Sequence, residues 1–334
     1  MTGISSASTF DRAGTRAAGL IAVLAAGLAL AACGGSQVSA VRLASATLSQ
    51  QPRALPQARA RRSPPYAVAE RVLTFVDRSR LIRLPGRPPQ PRRLVTVVRY
   101  PEHAAGPFPL VVFGHGFAVT PAYYFRLLRA WAQAGYVVAA PVFPLGNAHA
   151  PGGPDEADIV NQPRDMSFVI TQLLAAGADH RSPLAGLIDP GAVAVSGQSD
   201  GGETALAVAY DRSYLDRRVR AAIILSGAQI PGTGPFAFPT PSPPLLATQG
   251  TADTINQPRV TSAFFGLAPR PKYLLKLLGA GHLPPYTYQQ PQLSIVERVT
   301  IAFLDRYLKN ARHGIARMVA AGDIAGRAEL IVRR

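Results

Sequence analysis

Between residues 110 and 282 the chain alternates continuous apolar runs with amphipathic ones, and this alternation restricts the fold more than any other feature. The apolar runs are 110–116 (LVVFGHG), 136–144 (YVVAAPVFP), 191–197 (GAVAVSG), 219–227 (VRAAIILSG), 243–253 (PPLLATQGTAD) and 272–282 (KYLLKLLGAGH). Between them, residues 122–135 put Tyr124, Leu127, Leu128 and Trp131 on one helical face. Residues 164–177 do the same with Met166, Val169, Ile170, Leu173 and Leu174, and 201–210 and 294–310 also read as helices. A strand apolar on both sides must be covered on both sides. The expected fold is therefore α/β, a doubly wound, mostly parallel sheet with helices on both faces. Ahead of it, ERVLTFVD and RRLVTVVRYP, separated by RLPGRPPQP, predict an antiparallel pair with a long connection.

The formal charge of +16 comes from 35 Lys and Arg against 19 Asp and Glu, almost all of it arginine spread along the chain. No zinc-ligand set, aromatic RNA-binding signature or basic heptad region accompanies it, so no nucleic-acid partner is expected; an anionic membrane or envelope accounts for the charge as well. Arg12 and Arg16 precede an apolar stretch, AAGLIAVLAAGLALAAC, that ends at the only cysteine, Cys33. Its length suits a signal peptide better than a membrane span, and Leu30-Ala31-Ala32-Cys33 resembles the lipobox of bacterial lipoproteins. The expected organisation is a lipoprotein signal peptide over 1–32, a flexible tether over 33–65 starting at lipidated Cys33, a catalytic domain over 66–310 and a C-terminal extension over 311–334. That places a monomer on the extracytoplasmic face of the cell membrane, held by its lipid.

Ligands in such sheets bind beyond the carboxyl ends of the strands, and four strand ends carry unusual chemistry: Gly114-His115-Gly116-Phe117, Gly197-Gln198-Ser199-Asp200-Gly201, Gly250-Thr251-Ala252-Asp253 and Gly279-Ala280-Gly281-His282. The second has the G-x-S-x-G spacing of a nucleophile elbow, where serine occupies a sharp turn from strand to helix. A serine hydroxyl needs a base held by a third group. Of six histidines, His282 alone follows a late apolar strand in a glycine-lined turn. Asp253 ends its own strand between Ser199 and His282 in the chain. The backbone N–H groups of Asp200 and Phe117 are the expected oxyanion donors. His115 reads as a structural hydrogen-bonding residue, and His149 as a residue on the substrate side.

FGHGF, GQSDGG, GTAD and GAGH, in this order, resemble the α/β-hydrolase superfamily, most nearly its dienelactone hydrolase, chlorophyllase and platelet-activating factor acetylhydrolase-like branch. The resemblance covers roughly residues 71–310. It implies the α/β-hydrolase fold, Ser199 as nucleophile, His282 as base, Asp253 as acid, and Phe117 and Asp200 as oxyanion donors. Dienelactone hydrolases proper carry cysteine at the position of Ser199, which favours general ester hydrolysis over a lactone-specific role.

The expected activity is that of a serine carboxylesterase acting on short-chain or modest-sized esters, with polyesters as a secondary substrate. The alternatives are an envelope acyltransferase or a polyester or lipid hydrolase with the same triad, and a non-catalytic lipoprotein that binds a ligand in an inactive cleft. No metal-ligand cluster or phosphate-cradling loop is seen, and no metal or cofactor is expected. The connection GAQIPGTGPFAFPTPSPP, rich in Pro and Gly, is ill suited to a lid helix. Its Phe236 and Phe238, with Phe117 and Tyr124, are expected to flank the open cleft.

Overall fold

The computed structural model describes residues 65–334, apart from 85, 234 and 235; the expectations for the signal peptide, Cys33 and the tether to residue 64 lie outside the described residues. One nine-stranded sheet runs through the domain in the order β1-β2-β4-β3-β5-β6-β7-β8-β9. The strands are β1 (Val68–Ile82), β2 (Gln90–Pro101), β3 (Phe108–Gly114), β4 (Val137–Pro141), β5 (Ile188–Gln198), β6 (Val219–Leu225), β7 (Leu245–Gly250), β8 (Lys272–Leu277) and β9 (Ala328–Arg333). From β4 to β8 every pairing is parallel. The β1–β2 hairpin on one edge and β9 on the other are antiparallel.

The helices are α1 (Phe125–Gln133), α2 (Gln162–Ala178), α3 (Asp200–Tyr210), α4 (Pro258–Leu267), α5 (Pro284–Thr287), α6 (Gln292–Leu308) and α7 (Gly314–Gly322). Alternation along β3 shows how both sheet faces are filled. Val111 and Phe113 enter one buried cluster with Trp131 of α1 and Val296, Val299 and Phe303 of α6. Leu110 and Val112 enter the opposite one with Val169 and Ile170 of α2 and Leu206 of α3. Every residue of β3, β4, β6 and β7 except Arg220 is buried, as strands with both faces covered require. Among the described residues no helix is long and apolar enough to cross a membrane.

Beyond Asn310, where the sequence suggests an extension, the chain stays in the domain. Met318 of α7 is buried in the α1/α6 cluster, and β9 pairs with β8 from Lys272↔Arg333 to Leu277↔Ala328. The β1–β2 hairpin is braced by a buried ion network: Arg92 donates to both oxygens of Asp158 and of Asp165, at 2.6–2.8 Å, and Arg80 pairs with Asp77 and Asp165. Two fully engaged carboxylates hold the Arg92 guanidinium charged despite its burial.

Candidate active site

Ser199 follows β5, the central strand, and immediately precedes α3. The chain turns from strand to helix in one residue, and Ser199 is left at φ 55°, ψ −126°. Positive φ in a residue with a Cβ is strained by ~1–3 kcal/mol and persists only where its surroundings fix it. The fixing contacts are the Ser199 N–H to the Leu225 carbonyl, 3.0 Å, and the Ser199 carbonyl to the Glu203 N–H, 2.9 Å.

His282, five residues past the end of β8, accepts at Nε2 from Ser199 Oγ at 2.8 Å and donates from Nδ1 to Asp253 Oδ2 at 2.8 Å. Asp253, three residues past β7, is held further by Gln249 Nε2 on Oδ2 and by the Ile255 and Asn256 N–H groups on Oδ1. Burial works to raise its carboxyl, but the hydrogen bond and charge of His282 and the Ile255 N–H prevail, and it is held below the ordinary carboxylate range. An ionised Asp253 fixes the tautomer that leaves Nε2 free to accept the serine proton.

Phe117 lines the cleft beside Ser199. The preceding backbone runs so close that a Cβ on Gly116 would stand 3.2 Å from that of Ser199. Asp200 is the first residue of α3, so its N–H has no acceptor inside the helix. His115 is wholly buried and structural. Its Nδ1 donates to the Gly116 carbonyl at 2.8 Å, its Nε2 accepts from the Phe143 N–H at 3.0 Å, and burial pushes its pKa down to about 4.

Gln198, which no reading of the sequence singled out, ties the loops that carry Ser199 and His282 together. Its Oε1 accepts from Tyr124 Oη at 2.6 Å and its Nε2 donates to the His282 carbonyl at 3.1 Å. Tyr124 Oη also accepts from the Gly116 N–H, so this tyrosine, expected to flank the cleft, is a buried brace behind the loop at Gly116 and Phe117. The only available signal was the position of Gln198 inside the elbow.

The cleft over Ser199 has a volume of about 470 Å³, and its walls include Phe117, Val119, Ile255, Leu283 and Pro284. Three expected substrate contacts are corrected. Phe236 and Phe238 are not in this wall: Phe238 stacks on Tyr210 with ring centroids 5.2 Å apart, and the Ala237 N–H donates to the Tyr210 carbonyl. The connection from β6 must return to the edge where β7 begins, so its second half lies at the far end of α3 from Ser199. His149 is exposed, its N–H turned to Asn147 Oδ1, and it does not line the cleft. Ile255, 70% exposed at the cleft mouth, takes the place the aromatics were expected to fill.

A family model described as Chlorophyllase matches residues 76–248, slightly more than half of the chain. The chain belongs to the chlorophyllase family. This is a family of hydrolases acting on ester bonds. The match includes Ser199 and ends before Asp253 and His282, which join it through the hydrogen bonds above. Chlorophyllase-2 of Arabidopsis thaliana is 27% identical over 160 residues, 48% of this chain and 46% of the relative. The chain thus aligns with about half the length of that curated chlorophyllase.

Beside Ser199 lie two carboxyls, those of Asp200 and Glu203, to which the sequence analysis gives no role. Asp200 is 5% exposed; burial and then the charge of Glu156 push its carboxyl up to about 6, against the opposing effects of its own N–H and of His282. Burial and the charge of Asp200 push Glu203 up to about 8. Both pKa values are raised in the folded state, so the fold binds more protons than the unfolded chain between about pH 4 and 8, and stability falls as pH rises through that window. Asp200→Asn is expected to be more stable than wild type at pH 9 by on the order of 2–3 kcal/mol, and nearly equal at pH 4. Urea unfolding at the two pH values checks this, and an equal difference at both would remove the electrostatic explanation.

Proposed function

We propose that the protein is a serine carboxylesterase for short-chain and modest-sized esters, with Ser199 as nucleophile, His282 as general base and acid, and Asp253 as the group that orients it. The observation that carries the reading is the unbroken hydrogen-bond chain, 2.8 Å and 2.8 Å, from a strained serine through an imidazole to an ionised carboxylate. Ser199 Oγ attacks the ester carbonyl while its proton passes to His282 Nε2. The N–H groups of Phe117 and Asp200 receive the developing oxyanion, each worth ~3 kcal/mol. The imidazolium then protonates the departing alcohol, and a water activated by the same nitrogen releases the acid from the acyl-enzyme.

The apolar walls and modest volume of the cleft favour a short acyl chain. Among the described residues between β6 and β7 there is no helix to act as a lid. With Cys33 as lipid anchor, the esterase works at the outer face of the membrane, a reading supported by the charged, apolar and small-residue order before that cysteine.

One fluorophosphonate experiment on cells tests both parts. Wild type is expected to be labelled in the membrane fraction, Ser199→Ala not at all, and Cys33→Ala outside that fraction. Purified enzyme is expected to hydrolyse p-nitrophenyl butyrate faster than the palmitate ester, with no jump in rate at the solubility limit. Labelling that survives in Ser199→Ala would defeat the mechanism, and a jump with long chains preferred would defeat the open cleft.

A further inference from the structure

The β1–β2 hairpin reaches well past the active-site edge of the sheet. Thr96 of β2 pairs with Pro141 at the end of β4, level with Gly114 and Gly197 on the neighbouring strands. Because β2 runs opposite to β4, its residues from 95 back to 90 continue beyond that level, with β1 beside them as far as Ile82↔Gln90. Six residues at ~3.4 Å each carry the hairpin end about 20 Å past the strand ends from which Ser199 emerges.

The projecting part is basic. Arg78, Arg83, Arg87 and Arg93 are all exposed, and among the described residues no carboxylate forms an ion pair with any of them. The nearby Asp77 is buried and engaged by Ser79 and Arg80. Leu81, 55% exposed, stands among these arginines. Val160 lies on the turn whose Asn161 carbonyl receives Arg80 Nη1, and it is exposed too. The exposed acids of this edge, Asp155 and Glu156, lie on the cleft side of that turn, where the charge of Glu156 is felt by Asp200 and Glu203.

Unpaired guanidinium groups around an exposed leucine match an interface of anionic headgroups over acyl chains, with the charges on phosphate and the leucine below them. We propose that the tip of the β1–β2 hairpin docks on an anionic lipid surface and so turns the mouth of the active site toward that surface. The ion network of Arg80 and Arg92 with Asp77, Asp158 and Asp165 gives this projection a rigid base. The cleft and its exposed Ile255 open on the same edge, so docking brings ester bonds held at the surface within reach.

Cys33 is the only cysteine, so full-length Cys33→Ala protein carrying Leu81→Cys can be labelled at one position with an environment-sensitive fluorophore. Leu267→Cys, at the end of α4 on the opposite edge of the sheet, is the control. With vesicles of phosphatidylglycerol and phosphatidylcholine, the probe at 81 is expected to shift to the blue and the probe at 267 to stay unchanged. Pure phosphatidylcholine is expected to give no shift at either. Replacing Arg78, Arg83, Arg87 and Arg93 together by Gln should weaken the response ~10-fold or more and leave turnover of a soluble ester unchanged. Raising salt should weaken it in the unsubstituted hairpin as well. A probe at 81 that stays in water while the chain sediments with the anionic vesicles would overturn the proposal. So would equal shifts at 81 and 267, or a shift produced by RNA and not by vesicles.

Discussion

Ser199→Ala is expected to lower kcat by ~10⁴-fold or more while leaving the unfolding midpoint near that of wild type, and the double variant Ser199→Ala/His282→Ala is expected to be no worse. The equality follows from the geometry. His282 Nε2 has Ser199 Oγ as its partner at 2.8 Å, and once that oxygen is gone the ring has no proton to accept for this reaction. Asp253→Asn should also lose most activity, by a different route. An amide cannot accept from Nδ1 as the carboxylate does, and its NH2 favours the tautomer with the proton on Nε2, the nitrogen that must be free. Steady-state kinetics on a soluble ester decides the matter. Turnover near the wild-type level in Ser199→Ala would remove the mechanism, and a double variant ten times worse than the single would show that the two residues act apart.

The parts of this site that could be read from the sequence share one property: each is local to a strand end. Ser199, Asp253 and His282 each follow an apolar run within five residues, so placing the strands in one parallel sheet also placed the three side chains on one edge. Gln198 escaped notice because its importance lies in two partners, Tyr124 and His282, that are 74 and 84 residues away. Phe236 and Phe238 were misplaced for a related reason. Their composition suits a cleft wall, but where they sit depends on the path by which the chain returns from the end of β6 to the start of β7. The end of the chain was illegible on its own terms. AELIVR is six residues long with a charge at its second and last positions, and only pairing along β8 makes it a strand. The sequence PRVTSAFFGL of α4 carries β-branched and aromatic residues that weaken an isolated helix. It forms here because Phe264 is buried in the α2/α3 cluster.

The elbow itself predicts a second large effect, on folding rather than chemistry. A Cβ on Gly201 would overlap the Gly114 carbonyl, and one on Gly197 would overlap the carbonyl of Gly201. Both obstacles are buried backbone, one at the end of β3 where it pairs with β5 at Gly114↔Gly197 and the other in the first turn of α3, so neither can turn aside as a side chain would. Gly201→Ala must therefore either part β3 from α3 or push Ser199 out of its φ 55° turn. The first outcome costs stability and the second misaims the hydroxyl. We expect a loss of on the order of 4 kcal/mol or more in urea unfolding, together with most of the activity, and similar losses in Gly197→Ala. Gly266→Ala is the control: it lies within α4, a Cβ there meets open space, and higher helix propensity should make it more stable by ~0.5–1 kcal/mol. A Gly201→Ala protein within 1 kcal/mol of wild type and fully active would mean that strand and helix separate at this point at little cost. The strained serine would then have to be held by its hydrogen bonds to Leu225 and Glu203 alone, and tight packing between β3, β5 and α3 would no longer explain why small residues stand on either side of it.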